Sequence, residues 1–203
     1  MKKILIAIIG IVMLCCCCNP QAKDAGDEST TESMTEDLDA QYAVDLLKPG
    51  VQVPELTLND LRGNARSLSE FRGKKVVLVF WASWCPDCRA EAPELRAMQA
   101  AADPEKVAFV SVSFDRDFET LCKYVEENFL GGVQLFDPAG KKESKAAADF
   151  GVKWIPSLYL IDEEGKVVVS TVVAAKIAAA LNGSTPDSVT PGGVCTDEGC
   201  CVN

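Results

Sequence analysis

The chain begins with an unbroken apolar run, Ile4 to Leu14, and passes into a polar stretch with no hydrophobic period. From about Gly50 to Asn182 short apolar runs alternate with amphipathic ones. Val53 to Leu58, the turn residues Asn59-Asp60 and Gly63-Asn64, then Ser67-Leu68, predict an N-terminal hairpin. Val76 to Trp81 is a continuous β-branched and aromatic run, as a strand buried on both faces requires. Pro86 to Ala102, rich in Ala, Glu, Leu and Arg, predicts a helix bent near Pro93. Val107 to Phe114 predicts a second buried strand. Phe118, Leu121, Cys122, Val125 and Phe129 recur every third or fourth residue, giving a helix with one apolar face on which Cys122 is a small buried hydrophobe. A short strand over Val133 to Phe136, the turn Asp137-Pro138-Ala139-Gly140 and a small helix from Glu143 to Phe150 follow. Ser157 to Ile161 and Lys166 to Val172 pair around Asp162-Glu163-Glu164-Gly165, and Ala174 to Leu181 forms a last helix stopped at Asn182-Gly183.

This order predicts an α/β domain with a central mixed sheet, partly parallel, flanked by helices. No internal repeat is present. Residues 184–203, rich in Gly, Pro, Ser and Thr, read as a loop-like tail that carries Cys195, Cys200 and Cys201.

Composition narrows the chemistry. The chain has 203 residues, a formal charge of -10, 10 cysteines and no histidine. The acidity argues against nucleic acid, whose phosphates need a concentrated basic surface. The missing histidine excludes Ser-His-Asp and Cys-His nucleophiles and every His-ligated metal or haem. Sulfur is left as the reactive element, with no cofactor implied.

Lys2-Lys3 ahead of an apolar run shorter than the roughly 20 residues of a membrane span reads as a secretory signal. Its end, Cys15-Cys16-Cys17-Cys18, resembles a bacterial lipobox. Cys17 fits best as the lipidated residue, with Leu14 third before the cut and a small residue just before it; Cys16 and Cys18 are alternatives. Export would remove Lys2 and Lys3, deepen the charge to -12 and permit disulfides to persist. The expected organisation is a signal over 1–18, an acidic flexible tether over 19–49, the folded domain over 50–183 and the tail.

Cys85-Pro86-Asp87-Cys88 lies where the strongest strand hands over to a helix. Pro86 suits the first helical position. Cys85 then faces free N–H groups and the positive end of the helix dipole, which favour thiolate and a lowered pKa. Asp87 moderates that shift. Cys88, one turn in and more sheltered, would resolve the mixed disulfide that Cys85 forms. A structural disulfide or half a zinc site are the alternatives for an isolated C-x-x-C.

Phe80-Trp81-Ala82-Ser83-Trp84-Cys85-Pro86-Asp87-Cys88-Arg89-Ala90-Glu91 resembles the active-site segment of thioredoxin-fold proteins of the TlpA/ResA/CcmG type, which are membrane-tethered thiol-disulfide oxidoreductases outside the cytoplasm. The similarity continues through Val53-Pro54-Glu55-Leu56, Phe71-Arg72-Gly73-Lys74, Asp137-Pro138-Ala139-Gly140, Trp154-Ile155-Pro156-Ser157 and Ile161-Asp162-Glu163-Glu164-Gly165-Lys166. It implies a thioredoxin-like fold with an N-terminal β-hairpin and an inserted helix–strand element. It also implies a cis-Pro156 against the dithiol, with the Ile155 backbone open to an extended substrate. Trp84 would pack beside the attacking sulfur, and Glu91 would lie beneath the pair as a proton shuttle. Val79 stands where thioredoxin has a buried Asp. The implied partners are protein disulfides, apocytochrome haem-binding thiols among them, a membrane thiol-electron donor, and the membrane through the lipid anchor.

Reduction of protein disulfides is the expected activity. Disulfide oxidation or isomerisation by the same pair, and soft-metal binding or delivery through the tail cysteines, are alternatives. A peroxide-reducing site would need Thr-x-x-Cys, which is absent.

Overall fold

The computed structural model describes residues 38–128 and 131–183. Cys17, Phe129, most of the acidic stretch and Cys195, Cys200 and Cys201 lie outside them.

Seven strands form one sheet: β1 (Thr57–Asp60), β2 (Ala65–Ser67), β3 (Lys75–Trp81), β4 (Val107–Ser113), β5 (Val133–Phe136), β6 (Ser157–Ile161) and β7 (Val167–Thr171), in the spatial order β2-β1-β5-β4-β3-β6-β7. The helices are α1 (Pro86–Ala101), α2 (Phe118–Glu127), α3 (Gly140–Glu143), α4 (Lys145–Asp149) and α5 (Ala174–Leu181). Strands β3, β4 and β5 run parallel, with Lys75 opposite Val107 and Val110 opposite Val133. β6 returns antiparallel beside β3, Phe80 opposite Ser157. This is the mixed sheet expected of a thioredoxin-like fold. The predicted hairpin is β1–β2, and it extends the sheet by pairing β1 antiparallel to β5. The added helix–strand unit is α2 with β5.

β3 lies inside the sheet with helices on both faces, so each of Val76 to Trp81 is buried and the run has no polar position. Side chains alternate between the faces. Phe80 points to one, where its ring centroid is 5.2 Å from Phe150 and 5.8 Å from Phe114. Val79 and Trp81 point to the other, toward Leu95 of α1 and Tyr124 of α2.

Three expectations are corrected. The tether does not extend to residue 49: residues 38–42 are helical, and Ala43 and Leu46 are buried. The Asp39 carboxylate accepts from Thr171 Oγ1 at 2.8 Å, Val172 N at 2.9 Å and Lys176 Nζ at 2.7 Å. Gly151, at φ +69°, lies so near this segment that a Cβ would stand 1.9 Å from the Asp45 carbonyl oxygen. Counting carboxylates hid the donors that wait for one of them. The helix expected over Glu143 to Phe150 is divided at Ser144, whose hydroxyl accepts from Ala147 N at 2.8 Å and starts α4 afresh. Cys122 is half-buried rather than buried.

Candidate active site

The site begins with how β3 and β4 end. Asp115, buried just past β4, accepts from Ser83 N at 3.0 Å, Ser83 Oγ at 2.7 Å and Ser113 Oγ at 2.6 Å. Phe114 N donates to Trp81 O at 2.9 Å. These bonds hold the loop from Ala82 to Trp84 against the neighbouring strand and fix where α1 starts. Sequence reading passed over Asp115; its only signal was an acidic residue directly after an apolar strand.

Cys85 is the N-cap of α1, in extended backbone, and Pro86 opens the helix. The Cys85 sulfur takes the place of the usual capping oxygen and accepts from Cys88 N at 3.3 Å. Its thiol donates to the Ile155 carbonyl at 3.4 Å. The Ile155–Pro156 bond is cis. The Ile155 N–H finds no acceptor among the described residues. Trp84 is 57 % exposed beside this junction. Trp154, 40 % exposed, stacks on Tyr42 with centroids 4.5 Å apart, so the N-terminal segment abuts the approach to Ile155. No pattern in the sequence foretold that stack.

Of the residues expected to form the site, Cys85, Cys88, Ile155 and Pro156 converge, and Trp84 and Pro86 are exposed at the edge. Glu91 is absent from the lining of the cavity that Cys88 and Pro156 share, and its Oε2 accepts from Ala174 N at 2.7 Å. The reason lies in α5, whose N-cap Val173 has no side-chain oxygen for the free N–H groups there. The expected difference in shelter is also absent, since Cys85 and Cys88 are each 4 % exposed.

The charged form of Cys88 is nevertheless disfavoured. Burial, foremost, pushes the Cys88 thiol well above the ordinary thiol range; its hydrogen bond with Cys85 and the charges of Cys85 and Asp87 push the same way, against a backbone bond from Ala82. A proton on Cys88 is therefore held tightly until the sulfur is called on to react. No group of three or more Cys, Asp or Glu side chains suited to a metal ion occurs among the described residues.

Comparison with known proteins agrees with this geometry. A thioredoxin-like protein of Bacillus subtilis, YneN, is 32% identical over 124 residues, covering 60% of this chain and 69% of its own. The thiol-disulfide oxidoreductase ResA of Bacillus thuringiensis is 29% identical over 119 residues, 59% of this chain and 66% of its own length. The chain thus spans about two thirds of these relatives. The solved thioredoxin domain of a thiol-disulfide oxidoreductase from Bacteroides vulgatus superposes with a TM-score of 0.62 at 29% identity, covering 68% of this chain and 97% of that one. The model of the AhpC/TSA family matches residues 49–170. The chain belongs to the AhpC/TSA family, as a thioredoxin-fold domain of the thiol-disulfide oxidoreductase kind.

Proposed function

We propose that the domain reduces disulfides of exported proteins, with Cys85 as nucleophile and Cys88 as resolving thiol. The observation that carries this reading is the position of the Cys85 sulfur at the tip of α1, 3.3 Å from the Cys88 N–H and 3.4 Å from the Ile155 carbonyl beside cis-Pro156. A thiolate there meets backbone N–H groups and the positive end of the helix dipole. It attacks one sulfur of the substrate disulfide: a Cys85–substrate S–S bond forms, the substrate S–S bond breaks, and the other substrate sulfur leaves as thiolate. Cys88 then attacks the Cys85 sulfur, the Cys85–Cys88 bond forms, and the second substrate thiolate departs. Two electrons pass from protein to substrate, and a membrane thiol-electron donor returns them. The Ile155 N–H, without an acceptor among the described residues, suits pairing with an extended substrate strand, and the exposed Trp84 and Pro86 offer apolar contact. Glu91 is here a positioning residue that joins α1 to α5.

The basic start and short apolar run support export, and the cysteine run supports a lipid anchor on Cys17, with the domain outside the cytoplasmic membrane. Similarity to the thiol-disulfide oxidoreductase ResA supports protein disulfides as substrates, and apocytochrome thiols are proposed to be among them.

Trapping tests the chemistry. Cys88→Ser, expressed with its signal, accumulates disulfide adducts that map to Cys85; Cys85→Ser accumulates none. Equal adducts from both would overturn the assignment. A redox titration tests direction, and a potential near about -120 mV, the strongly oxidising end of the thioredoxin-fold range, would make the protein an oxidant instead.

A further inference from the structure

Between the sheet and helices α1 and α2 lies a cavity of about 50 Å³, with Cys88 and Pro156 among its lining residues. Phe109, Tyr124 and Leu95 make most of it apolar. Arg96, Gln99 and Ser111 add polar atoms to that wall, and two further buried polar groups in it lack partners. Trp81, 6 % exposed, has an indole N–H with no acceptor among the described residues, and Gln134, 8 % exposed, has an amide oxygen with no donor. The Gln134 amide is oriented, because its Nε2 donates to the Gly131 carbonyl at 2.7 Å. Leaving a buried polar group unpaired is costly, so two in one cavity call for a common partner.

Water is complementary to this pair. It accepts from the indole N–H and donates to the amide oxygen, leaving one lone pair and one hydrogen. A water needs roughly 10–15 Å³ of such space, so the cavity has room for a short file. Cys88, at the same cavity, holds a proton it must lose when it attacks. No carboxylate among the described residues lines the cavity to take it directly. Glu91 is bonded to Ala174 N, Asp115 to Ser83 and Ser113, and Val79, which lines the cavity, is apolar. The other titratable groups near Cys88 are Cys85 and Asp87 in the first turn of α1, with Arg96 of α1 and Tyr124 of α2 in the cavity lining. No lining residue from the strands titrates.

We propose that Trp81 and Gln134 are positioning residues for a water that carries the proton of Cys88 during resolution. This rests on the exchange reading above. The Cys88 S–H proton passes to the free lone pair of the water, whose free hydrogen passes along the file to solvent. The electron pair left on Cys88 forms the bond to Cys85, and the bond between Cys85 and the substrate sulfur breaks, its pair leaving as thiolate. The mixed disulfide is the only oxidant needed.

The test is a single turnover of the reduced protein with the chromogenic disulfide dithiobis(nitrobenzoate), which releases a coloured thiolate first on Cys85 attack and again on Cys88 attack. In Trp81→Phe and Gln134→Met the first phase keeps the wild-type rate. The second slows roughly tenfold or more, and its pH profile moves to higher pH. A second phase unchanged in rate and profile overturns the inference, as does equal slowing of both phases, which marks a disturbed fold. Absence of the first phase in the wild-type protein would instead sink the exchange reading. Should the variants not fold, water-exchange NMR on the wild-type protein decides: a cross-peak between the Trp81 indole hydrogen and a long-lived water is expected, and its absence refutes the proposal.

Discussion

On the sheet face toward α4, Phe80 meets Phe114 and Phe150 at 5.8 and 5.2 Å, and the Tyr159 hydroxyl both donates to the Phe150 carbonyl and accepts from Leu47 N. On the face toward α1, Val79 and Trp81 border a cavity, and the Trp81 N–H has no partner among the described residues. The same strand thus builds a dense aromatic core on one side and a looser, partly polar layer beneath the cysteines on the other. The comparison teaches a division of labour: one face supplies stability, and the other leaves room for a thiol to lose its proton.

Core truncations break or sustain that contrast most strongly. Phe80→Ala is expected to cost roughly 3–5 kcal/mol, whereas Leu95→Ala, beside space that already exists, should stay near the low end of about 2 kcal/mol. Urea midpoints of the two variants measure it, and equal losses would erase the distinction between the faces. Tyr159→Phe leaves the Leu47 N–H and Phe150 carbonyl without their shared partner, an expected loss of about 1–3 kcal/mol read from the same unfolding curves.

A subtler contrast appears with pH. The unfolded chain releases the Cys88 proton near the ordinary thiol value of 9.0, while the fold holds it above that. Above about pH 9 the unfolded state therefore binds fewer protons, and the reduced protein should lose stability as pH rises. Cys88→Ala should flatten that decline in a pH series of thermal melts. The smallest effect is expected from Glu91→Gln, which keeps an acceptor near α5 but removes its charge, at about 0.3–1 kcal/mol. A fall in exchange rate far beyond that loss would return Glu91 to the proton's path.

Much of this was legible in the sequence because it rests on local rules. The apolar run Val76 to Trp81 announced a central strand, and Cys85-Pro86 announced a helix tip, since both follow from burial and N-terminal capping alone. What escaped were contacts made across long loops. Glu91 looks like any carboxylate near the start of a helix until α5 arrives with uncapped N–H groups. Asp39 looks like one more tether charge until Thr171 and Lys176 surround it. The unpartnered Trp81 N–H and Gln134 oxygen are visible only once β3 and β5, with β4 between them, share a face.

The central claim is that Cys85, at the tip of α1, is the attacking sulfur, while burial and its neighbours keep Cys88 protonated until resolution. Alkylation of the reduced protein by iodoacetamide at stepwise increasing pH, with both sites mapped by mass spectrometry, tests it directly, because the two cysteines are equally covered. The account predicts that Cys85 is modified first at every pH up to about 9 while Cys88 stays protonated and unlabelled. Equal labelling of the two, or Cys88 ahead of Cys85, would contradict it.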